Sequence, residues 1–238
     1  KMPYTSAIGE TYDSGDFEMV LENALVASDW EGFEKRRKAT EAKGLLRGRG
    51  VSCYIEWTGA VWHEEVTTEA QADGSVVLYT GTQNMGQGLQ TAFSQLLSEY
   101  LELPIDRIRV VQGDTDLVKG VGSVGSRSLY IGGSAVKEGA ARFIEQGRML
   151  AGEALEAASE DLLYEEGRYS VKGTNIGVGL DELAQNQPEQ RFSVYSKTTL
   201  VNREGTGYPS WPNGCQIAEV DIDPETGEVF MDSLSATD

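Results

Sequence analysis

Residues 88–112, "GLQTAFSQLLSEYLELPIDRIRVVQ", carry the pattern that decides the fold class. Apolar side chains recur three or four residues apart from Leu89 to Leu101, which predicts an amphipathic helix with one buried face. Pro104 is expected to end this helix, because proline has no amide hydrogen for a further helical bond. The β-branched run "RIRVVQ" at residues 107–112 then predicts a short strand. A helix followed directly by a strand indicates a chain that combines both kinds of element.

Helices and strands alternate on both sides of this stretch. The periodicity and the turn residues predict helices at residues 15–28, 29–44, 136–154 and 180–187, a hairpin at residues 67–81 that turns at Asp73-Gly74, strands at residues 45–57, 191–200 and 215–222, two short strands within residues 161–179, a loop at residues 202–214, and a last strand after the turn at residues 223–227. No linker rich in proline, glycine and serine separates two globules. We therefore predict an α+β fold, with mixed sheets and packed helices, over residues 1–238.

The chain is strongly acidic. Its 20 Lys and Arg residues stand against 38 Asp and Glu residues, which gives a formal charge of -18. Nucleic acids and anionic membranes bind to positively charged surfaces, so this balance argues against both as partners. No segment approaches the roughly 20 apolar residues of a membrane-spanning helix, and the N-terminus lacks the apolar core of a signal peptide. We therefore expect no transmembrane segment.

Cysteine and histidine are scarce in this sequence. Cys53 and Cys215 lie far apart and no C-x-x-C motif is present, which argues against a disulfide framework or a cysteine zinc site. Reduced thiols are typical of a cytoplasmic protein, which is the location that we expect. His63 is the only histidine, and its neighbours indicate neither a catalytic triad nor a metal site. We expect His63 to be a partly exposed strand or loop residue, and we predict no metal ligand among the side chains.

The stretch "GVGSVG" at residues 120–125 has the spacing G-x-G-x-x-G. A dinucleotide fingerprint needs its first glycine at the end of a strand and an acidic residue about 20 residues later, at the end of a second strand. Here the preceding strand ends near Gln112, and a long helix follows the glycines instead of a short helix and a strand. The spacing therefore does not indicate an NAD-binding fold.

Two other interpretations of this loop remain open. Glycines allow backbone N–H groups to turn inward around an anion, Ser123, Ser126 and Ser128 supply hydroxyl groups, and a helix begins directly afterwards. Arg127 supplies a planar cation that suits phosphate. The loop is thus either a phosphate-binding site or an ordinary solvent-exposed connection.

A second glycine-rich corner joins a strand to the helix of residues 88–112. In "TGTQNMGQGLQTAF", residues 80–93, Gly86 and Gly88 flank Gln87, so that the backbone can approach a ligand and the glutamine can point at it. A helix cap or a packing turn is the alternative. Two such corners in one chain favour a shared ligand.

Residues 80–116 and 120–136 together resemble the molybdopterin-binding large subunit of the molybdenum hydroxylases. These enzymes include xanthine dehydrogenase, aldehyde oxidase and aerobic carbon monoxide dehydrogenase. Residues 11–25 and 208–229 are also similar to segments of that subunit, in the same order along the chain. "GSRS" at residues 125–128 resembles the carbon-monoxide-dehydrogenase-like bacterial branch more than the eukaryotic xanthine dehydrogenases.

This resemblance implies an oxidoreductase that hydroxylates an aldehyde, an N-heterocycle or a similar small substrate. Molybdenum would be held by a molybdopterin cofactor, in the cytosine dinucleotide form, so few protein ligands are needed. The position of Gln87, between Gly86 and Gly88, implies a side chain that approaches an oxo group of the metal. The implied contacts with the pterin and the phosphates come from Gly122, Ser123, Val124, Gly125, Ser126, Arg127 and Ser128. Iron–sulfur clusters and FAD would lie on partner subunits.

The family's catalytic carboxylate, in a G-x-G-E type motif, has no counterpart in residues 1–238. The family's earlier loops, which contact substrate and metal, would precede residue 1. We therefore expect a central fragment of a large subunit, inactive by itself because the base for the hydroxylation is absent. The sequence leaves one alternative open, a non-catalytic α+β module that binds an anion or a nucleotide through residues 122–128 or serves as an assembly surface.

Overall fold

A computed structural model describes residues 2–201, 207 and 209–238. Residues 202–206 and 208, in the predicted loop, lie outside the described residues. The chain forms two compact units, which we call the split unit (Lys1–Thr58 with Pro209–Asp238) and the continuous unit (Gly59–Tyr208). The two units are described separately below.

Strands and helices alternate through the described residues. The strands are β1 (Tyr4–Thr5), β2 (Thr11–Tyr12), β3 (Leu46–Ile55), β4 (His63–Gln71), β5 (Val76–Thr80), β6 (Ile108–Gln112), β7 (Leu162–Glu165), β8 (Arg168–Val171), β9 (Gly177–Gly179), β10 (Arg191–Thr199), β11 (Asn213–Ile222) and β12 (Val229–Thr237). The α-helices are α1 (Phe17–Ala27), α2 (Phe33–Glu41), α3 (Leu89–Leu101), α4 (Gly133–Leu155) and α5 (Leu180–Gln185).

The split unit is built on an antiparallel sheet in the order β12-β11-β3. Helix α1 packs on β11 and β12, and α2 packs on β3. Ala24, Cys215 and Ile217 form the buried core between α1 and the sheet. Helix α1 is capped by Asp16, whose Oδ1 atom accepts the Met19 N–H at 3.1 Å, so the helix begins at Phe17, two residues after the predicted start.

The buried face of β11 includes a carboxylate. Glu219 is only 2% exposed and lies on the same face of the strand as Ile217. Arg36 of α2 contacts its carboxylate at 2.6 Å, and Arg47 of β3 contacts it at 3.5 Å. These two guanidinium groups balance the charge that burial would otherwise penalise. The alternation of residue types in β11 could not show this, because Arg36 lies 183 residues away in the sequence.

The pKa of Asp221, two residues after Glu219 in β11, indicates how the stability of the split unit depends on pH. Hydrogen bonds from Arg47 Nε at 2.7 Å and Nη2 at 2.9 Å hold the pKa of Asp221 below its ordinary value of 3.8. The stabilising contribution of Asp221 is therefore present above pH 3.8 and is lost as the pH falls through the lower, folded-state pKa. We expect Asp221→Asn to flatten the fall in unfolding free energy between about pH 5 and pH 2, measured by urea unfolding. Glu225→Gln, at an exposed turn, is the control, and equal acid slopes in wild type and Asp221→Asn would contradict this role.

The continuous unit contains a mixed sheet in the order β10-β4-β5-β6. Its β4–β5 hairpin turns at Asp73-Gly74, as predicted, with Ala70 opposite Val76. Strands β5 and β6 run parallel, and α3 connects them. Helices α3 and α4 pack against each other over a core that includes Val66, Leu78, Phe93, Leu97, Val136, Ala140 and Phe143. Strands β7, β8 and β9 form a further antiparallel sheet. The predicted α+β class, with mixed sheets and packed helices, is confirmed.

Several helix boundaries differ from the predicted ones; α2, for example, covers Phe33–Glu41 within the predicted residues 29–44. Helix α3 ends at Leu101, because Glu102 adopts a left-handed φ of 52°. Pro104 lies beyond this stop and begins the next short helical turn. Helix α4 begins at Gly133, earlier than the apolar repeat indicates, and a π-helical turn at Ser128–Gly132 precedes it.

Glycines allow α4 to pack closely on its neighbours. A methyl group at Gly139 would lie 2.8 Å from Val66 Cγ2, and one at Gly147 would overlap the Tyr169 hydroxyl group. Tyr169 donates this hydroxyl hydrogen to the Ile144 carbonyl oxygen at 2.9 Å. Burial raises the pKa of Tyr169, which keeps the hydroxyl protonated as a donor. None of the helices in the described part of the chain has both the length and the apolar character that a membrane span requires.

Candidate functional site

The parallel pairing of β5 and β6 brings the two glycine-rich corners together. Thr80, the last residue of β5, is the register partner of Gln112, the last residue of β6. Parallel strands end at the same edge of a sheet, so the segments that follow them start side by side. We call residues 81–90 the Gln87 corner and residues 120–134 the Arg127 corner. Both corners lie in the continuous unit, at this edge of its sheet.

Hydrogen bonds join the two corners directly. The Gln83 N–H donates to Ser123 Oγ at 2.8 Å, and the Ser123 hydroxyl donates to the Gln83 carbonyl oxygen at 2.7 Å. Gln112 Nε2 donates to the Thr82 carbonyl oxygen at 3.0 Å, which ties β6 to the start of the Gln87 corner. Ser123 was a predicted ligand-binding residue, and the structure shows that it also connects the corners.

The backbones of the corners meet at a pair of glycines. A methyl group at Gly81 would overlap the Cα atom of Gly120 and would lie 2.6 Å from Glu64 Oε1. A methyl group at Gly120 would overlap Gly81 Cα and Glu64 Oε1. Neither glycine has a positive φ, so the close approach of two chains, and not a turn, requires glycine here.

The side chain of Arg127 lies behind its corner, in the protein interior. It is 0% exposed, and its Nη1 atom contacts Glu64 Oε2 at 2.6 Å. Its other donors go to backbone carbonyls: Nε to Val61 at 3.1 Å, Nη1 to Gly122, and Nη2 to His63. The guanidinium group therefore stabilises the Arg127 corner from the protein interior, through hydrogen bonds to protein oxygen atoms.

Glu64 completes this anchor from the start of β4. Its side chain is fully buried, and its Oε1 atom accepts the N–H of Val121 at 3.0 Å. Sequence reasoning missed Glu64, because a glutamate in "VWHEEV" looks like any strand residue until Arg127 is placed beside it. His63, the first residue of β4, is partly buried, as predicted.

A cavity of about 420 Å³ lies between the two corners. Its wall includes Gln87 and three hydroxyl groups among apolar side chains. The lining residues are Met85, Gln87, Leu89, Ala92, Ser123, Val124, Gly125, Ser126, Ser128 and Leu129. Five of the predicted binding residues besides Gln87 therefore share one cavity with it. Such a lining suits a ligand with a flat apolar body and several polar groups.

Gln87 sits on a sharp bend. Gly86 and Gly88 have φ values of 91° and 77°, a left-handed region that favours glycine. The Gln87 carboxamide folds back on its own corner, where Nε2 donates to the Gln83 carbonyl oxygen at 3.0 Å and Oε1 accepts the Met85 N–H. These bonds hold the side chain in place along the cavity wall.

The Arg127 corner contains unusual backbone geometry where it lines the cavity. Ser126 has a positive φ of 52°, and the π-helical turn Ser128–Gly132 follows. Left-handed non-glycine residues and π-helical turns are enriched at functional sites. In the described part of the chain, no three His, Cys, Asp or Glu side chains gather closely enough to hold a metal ion.

A model of the molybdopterin cofactor-binding domain family matches residues 23–238. The chain belongs to this family. This match confirms the predicted resemblance of the chain to the large subunit of the molybdenum hydroxylases.

Known relatives of this molybdopterin cofactor-binding domain are subunits of larger enzymes. Subunit gamma of the 6-hydroxypseudooxynicotine dehydrogenase complex of Paenarthrobacter nicotinovorans is 29% identical over 228 residues, which cover 91% of this chain and 28% of that protein. The carbon monoxide dehydrogenase large chain of Hydrogenophaga pseudoflava is 29% identical over 255 residues, which cover 100% of this chain and 32% of that protein. The chain therefore spans less than a third of the length of these two relatives.

Solved structures agree with the family. Quinoline 2-oxidoreductase from Pseudomonas putida 86 matches with a TM-score of 0.73 and 25% identity, over 99% of this chain and 32% of that chain. Carbon monoxide dehydrogenase from Oligotropha carboxidovorans matches with a TM-score of 0.70 and 25% identity, over 99% of this chain and 32% of that chain.

The donor set of the cavity fits a molybdopterin. The pterin is a flat heterocycle with hydrogen-bonding edges, and its extension carries phosphate oxygens. Val124 and Leu129 offer apolar surface, and Ser126 and Ser128 lie on the same wall, whereas Ser123 can only accept there because its hydroxyl hydrogen goes to the Gln83 carbonyl oxygen. The residues that line the cavity thus match both parts of the cofactor.

Proposed function

We propose that this chain binds a molybdopterin cofactor in the cavity between the Gln87 corner and the Arg127 corner, as part of a molybdenum oxidoreductase. The observation that carries the proposal is the parallel pairing of β5 and β6, which makes two separate motifs into one site. When bound, the cofactor supplies the oxidation–reduction chemistry of molybdenum.

Gln87 is the residue whose amide group would lie beside the metal. The bonds to Gln83 and Met85 hold its carboxamide, so little side-chain freedom is lost when the cofactor binds. Gly86 and Gly88 leave open space around it, since a methyl group at either would meet nothing within 4 Å. The amide would orient the groups that surround the metal when the cofactor is bound.

The Arg127 corner holds the organic part of the cofactor. Ser126 and Ser128, which line the cavity, would face the pterin and the phosphates of a cytosine dinucleotide extension, while Ser123 is held by its hydrogen bonds to Gln83. Arg127 acts from behind, because its guanidinium group binds Glu64 and three carbonyls. Its role is to fix the shape of the corner and not to meet a phosphate directly.

The reaction and the partners are those of the large-subunit family. The substrate is an aldehyde, an N-heterocycle or a similar small molecule, and electrons leave through iron–sulfur and FAD partner subunits. The nicotine 6-hydroxylase large subunit of Paenarthrobacter nicotinovorans, 26% identical over 252 residues, supports the N-heterocycle class. A cytoplasmic location is part of the same proposal.

The alternative of an anion-binding module is weaker. Cationic side chains at the ligand would strengthen an anion site that has to work by itself. Among the described residues that line the cavity there is no Lys or Arg. The cavity fits a cofactor better than a free anion.

Gln87→Ala in the parent polypeptide tests the proposal. We expect turnover of an N-heterocycle or an aldehyde to fall about 10–100-fold, as for other groups that orient the surroundings of a metal. Molybdenum per polypeptide, measured by metal analysis, and the melting temperature report cofactor content and folding separately. Gln95→Ala, at an exposed position of α3, is the matched control. Unchanged turnover and molybdenum content in Gln87→Ala would remove Gln87 from the site.

A further inference from the structure

Two cysteines lie opposite each other in the sheet of the split unit. Strands β3 and β11 are antiparallel neighbours, and Cys53 is the register partner of Cys215. Their Sγ atoms are 3.5 Å apart, although 162 residues separate them in the sequence. The sequence argued against a disulfide because the cysteines are distant along the chain. The pairing of β3 with β11 brings them next to each other.

The positions suit a covalent bond between the two sulfur atoms. Directly opposite residues of antiparallel strands have Cα atoms about 4.5–5.5 Å apart. Disulfides are found at Cα separations of about 4.4–6.8 Å. Both thiols are free in the structure. A bond between them therefore needs only small side-chain movements.

The two thiols differ in their access to solvent. Cys53 is exposed, whereas Cys215 is buried, and burial raises the pKa of the Cys215 thiol. A cavity of about 230 Å³ opens beside Cys53, with Tyr12, Phe17 and Tyr54 in its walls. A small reagent can reach Cys53 through this cavity, whereas we expect the buried Cys215 to react with a group that is already attached to Cys53.

We propose that Cys53 and Cys215 form a reversible disulfide site that reacts with low-molecular-weight disulfides. The Cys53 thiolate attacks one sulfur of the small disulfide, whose S–S bond breaks while a Cys53–S–S–R bond forms. The first small thiol leaves with one proton. Cys215 then attacks the Cys53 sulfur, the Cys53–Cys215 bond forms, and the second small thiol leaves with the other proton. Two protein thiols are oxidised by two electrons, and one small disulfide is reduced to two thiols.

The new bond closes a very long loop and ties β3 to β11. A cross-link over 162 residues restricts the unfolded chain more than it restricts the folded sheet. The oxidised chain should therefore melt at a higher temperature than the reduced chain. In a reducing compartment such a bond is transient, and its state follows the thiol–disulfide balance of the surroundings. The site does not depend on the proposed cofactor cavity.

Glutathione disulfide is the probe for this site. The reduced 238-residue chain is incubated with it at low protein concentration, quenched with acid, and measured by intact-mass and peptide-mapping mass spectrometry. We expect a mass lower by two hydrogen atoms, a peptide pair linked through Cys53 and Cys215, loss of both free thiols, and a raised melting temperature. A dithiol reductant should reverse all four changes.

Two variants separate the steps. Cys215→Ser should accumulate one glutathione on Cys53, since no second thiol displaces it, whereas Cys53→Ser should stay unmodified because Cys215 is buried. Three outcomes would overturn the proposal: a wild-type chain that keeps both thiols, one that holds a stable glutathione adduct as Cys215→Ser does, or one whose only disulfides join two chains.

Discussion

Arg127→Met should lower the free energy of unfolding by about 3–5 kcal/mol, the usual cost of leaving one member of a buried ion pair alone. Methionine fills much of the same volume but carries no charge, so Glu64 stays buried without the partner now 2.6 Å away. The carbonyl oxygens of Val61, His63 and Gly122 lose their donor at the same time. Urea unfolding followed by circular dichroism measures the loss.

Arg142→Met is the matched control for this variant. Arg142 pairs with Glu138 on the surface of α4, where the two side chains are 53% and 40% exposed, so we expect a change within about 0.5 kcal/mol. The double variant Glu64→Met with Arg127→Met should recover part of the loss, because no unpaired charge remains buried. An Arg127→Met chain as stable as the control would show that the anchor contributes nothing.

Gly120→Ala should destabilise the continuous unit by about 3 kcal/mol or more, the upper end of what overpacking costs. The added methyl group overlaps the Cα atom of Gly81 and the buried carboxylate of Glu64. A backbone and a paired carboxylate cannot move aside as the end of a flexible side chain can. The Gln87 corner and the Arg127 corner must then separate, so molybdenum content in the parent polypeptide should fall together with the melting temperature.

Gly133→Ala provides the comparison for this prediction. A methyl group there would lie 3.2 Å from Leu96 Cδ1, the mobile end of a side chain, and alanine favours the helix α4 by about 1 kcal/mol. We expect its unfolding free energy to stay within about 1 kcal/mol of the wild-type value. If Gly120→Ala and Gly133→Ala unfold at the same urea concentration, the contact between Gly81 and Gly120 is not restrictive.

Local patterns predict most helices and strands of this chain. The Asp73-Gly74 turn was predictable because it depends on residues next to it in the sequence. The end of α3 was predicted less well, since Pro104 gives a strong stop signal but Glu102 stops the helix first. A left-handed glutamate has no clear local signature.

Contacts between residues far apart in the sequence determine the features of the site that local patterns could not predict. The glycine-rich corners and their resemblance to one family were visible in the sequence, but the parallel pairing that joins them was not. Arg127 shows why: a guanidinium group suits a phosphate and a carboxylate equally well. Only the position of Glu64, 63 residues earlier in the chain, shows which of the two it meets.

The anchor has a consequence for how such a site can change over generations. Met85, Val124 and Leu129, at the front of the cavity, are 65%, 59% and 54% exposed, whereas Arg127 behind them is 0% exposed. Substitutions at the front should cost the fold little, so the surface that we propose to meet the ligand can tolerate more change than Arg127 behind it. One scaffold can in this way be adapted to different ligand environments without being rebuilt.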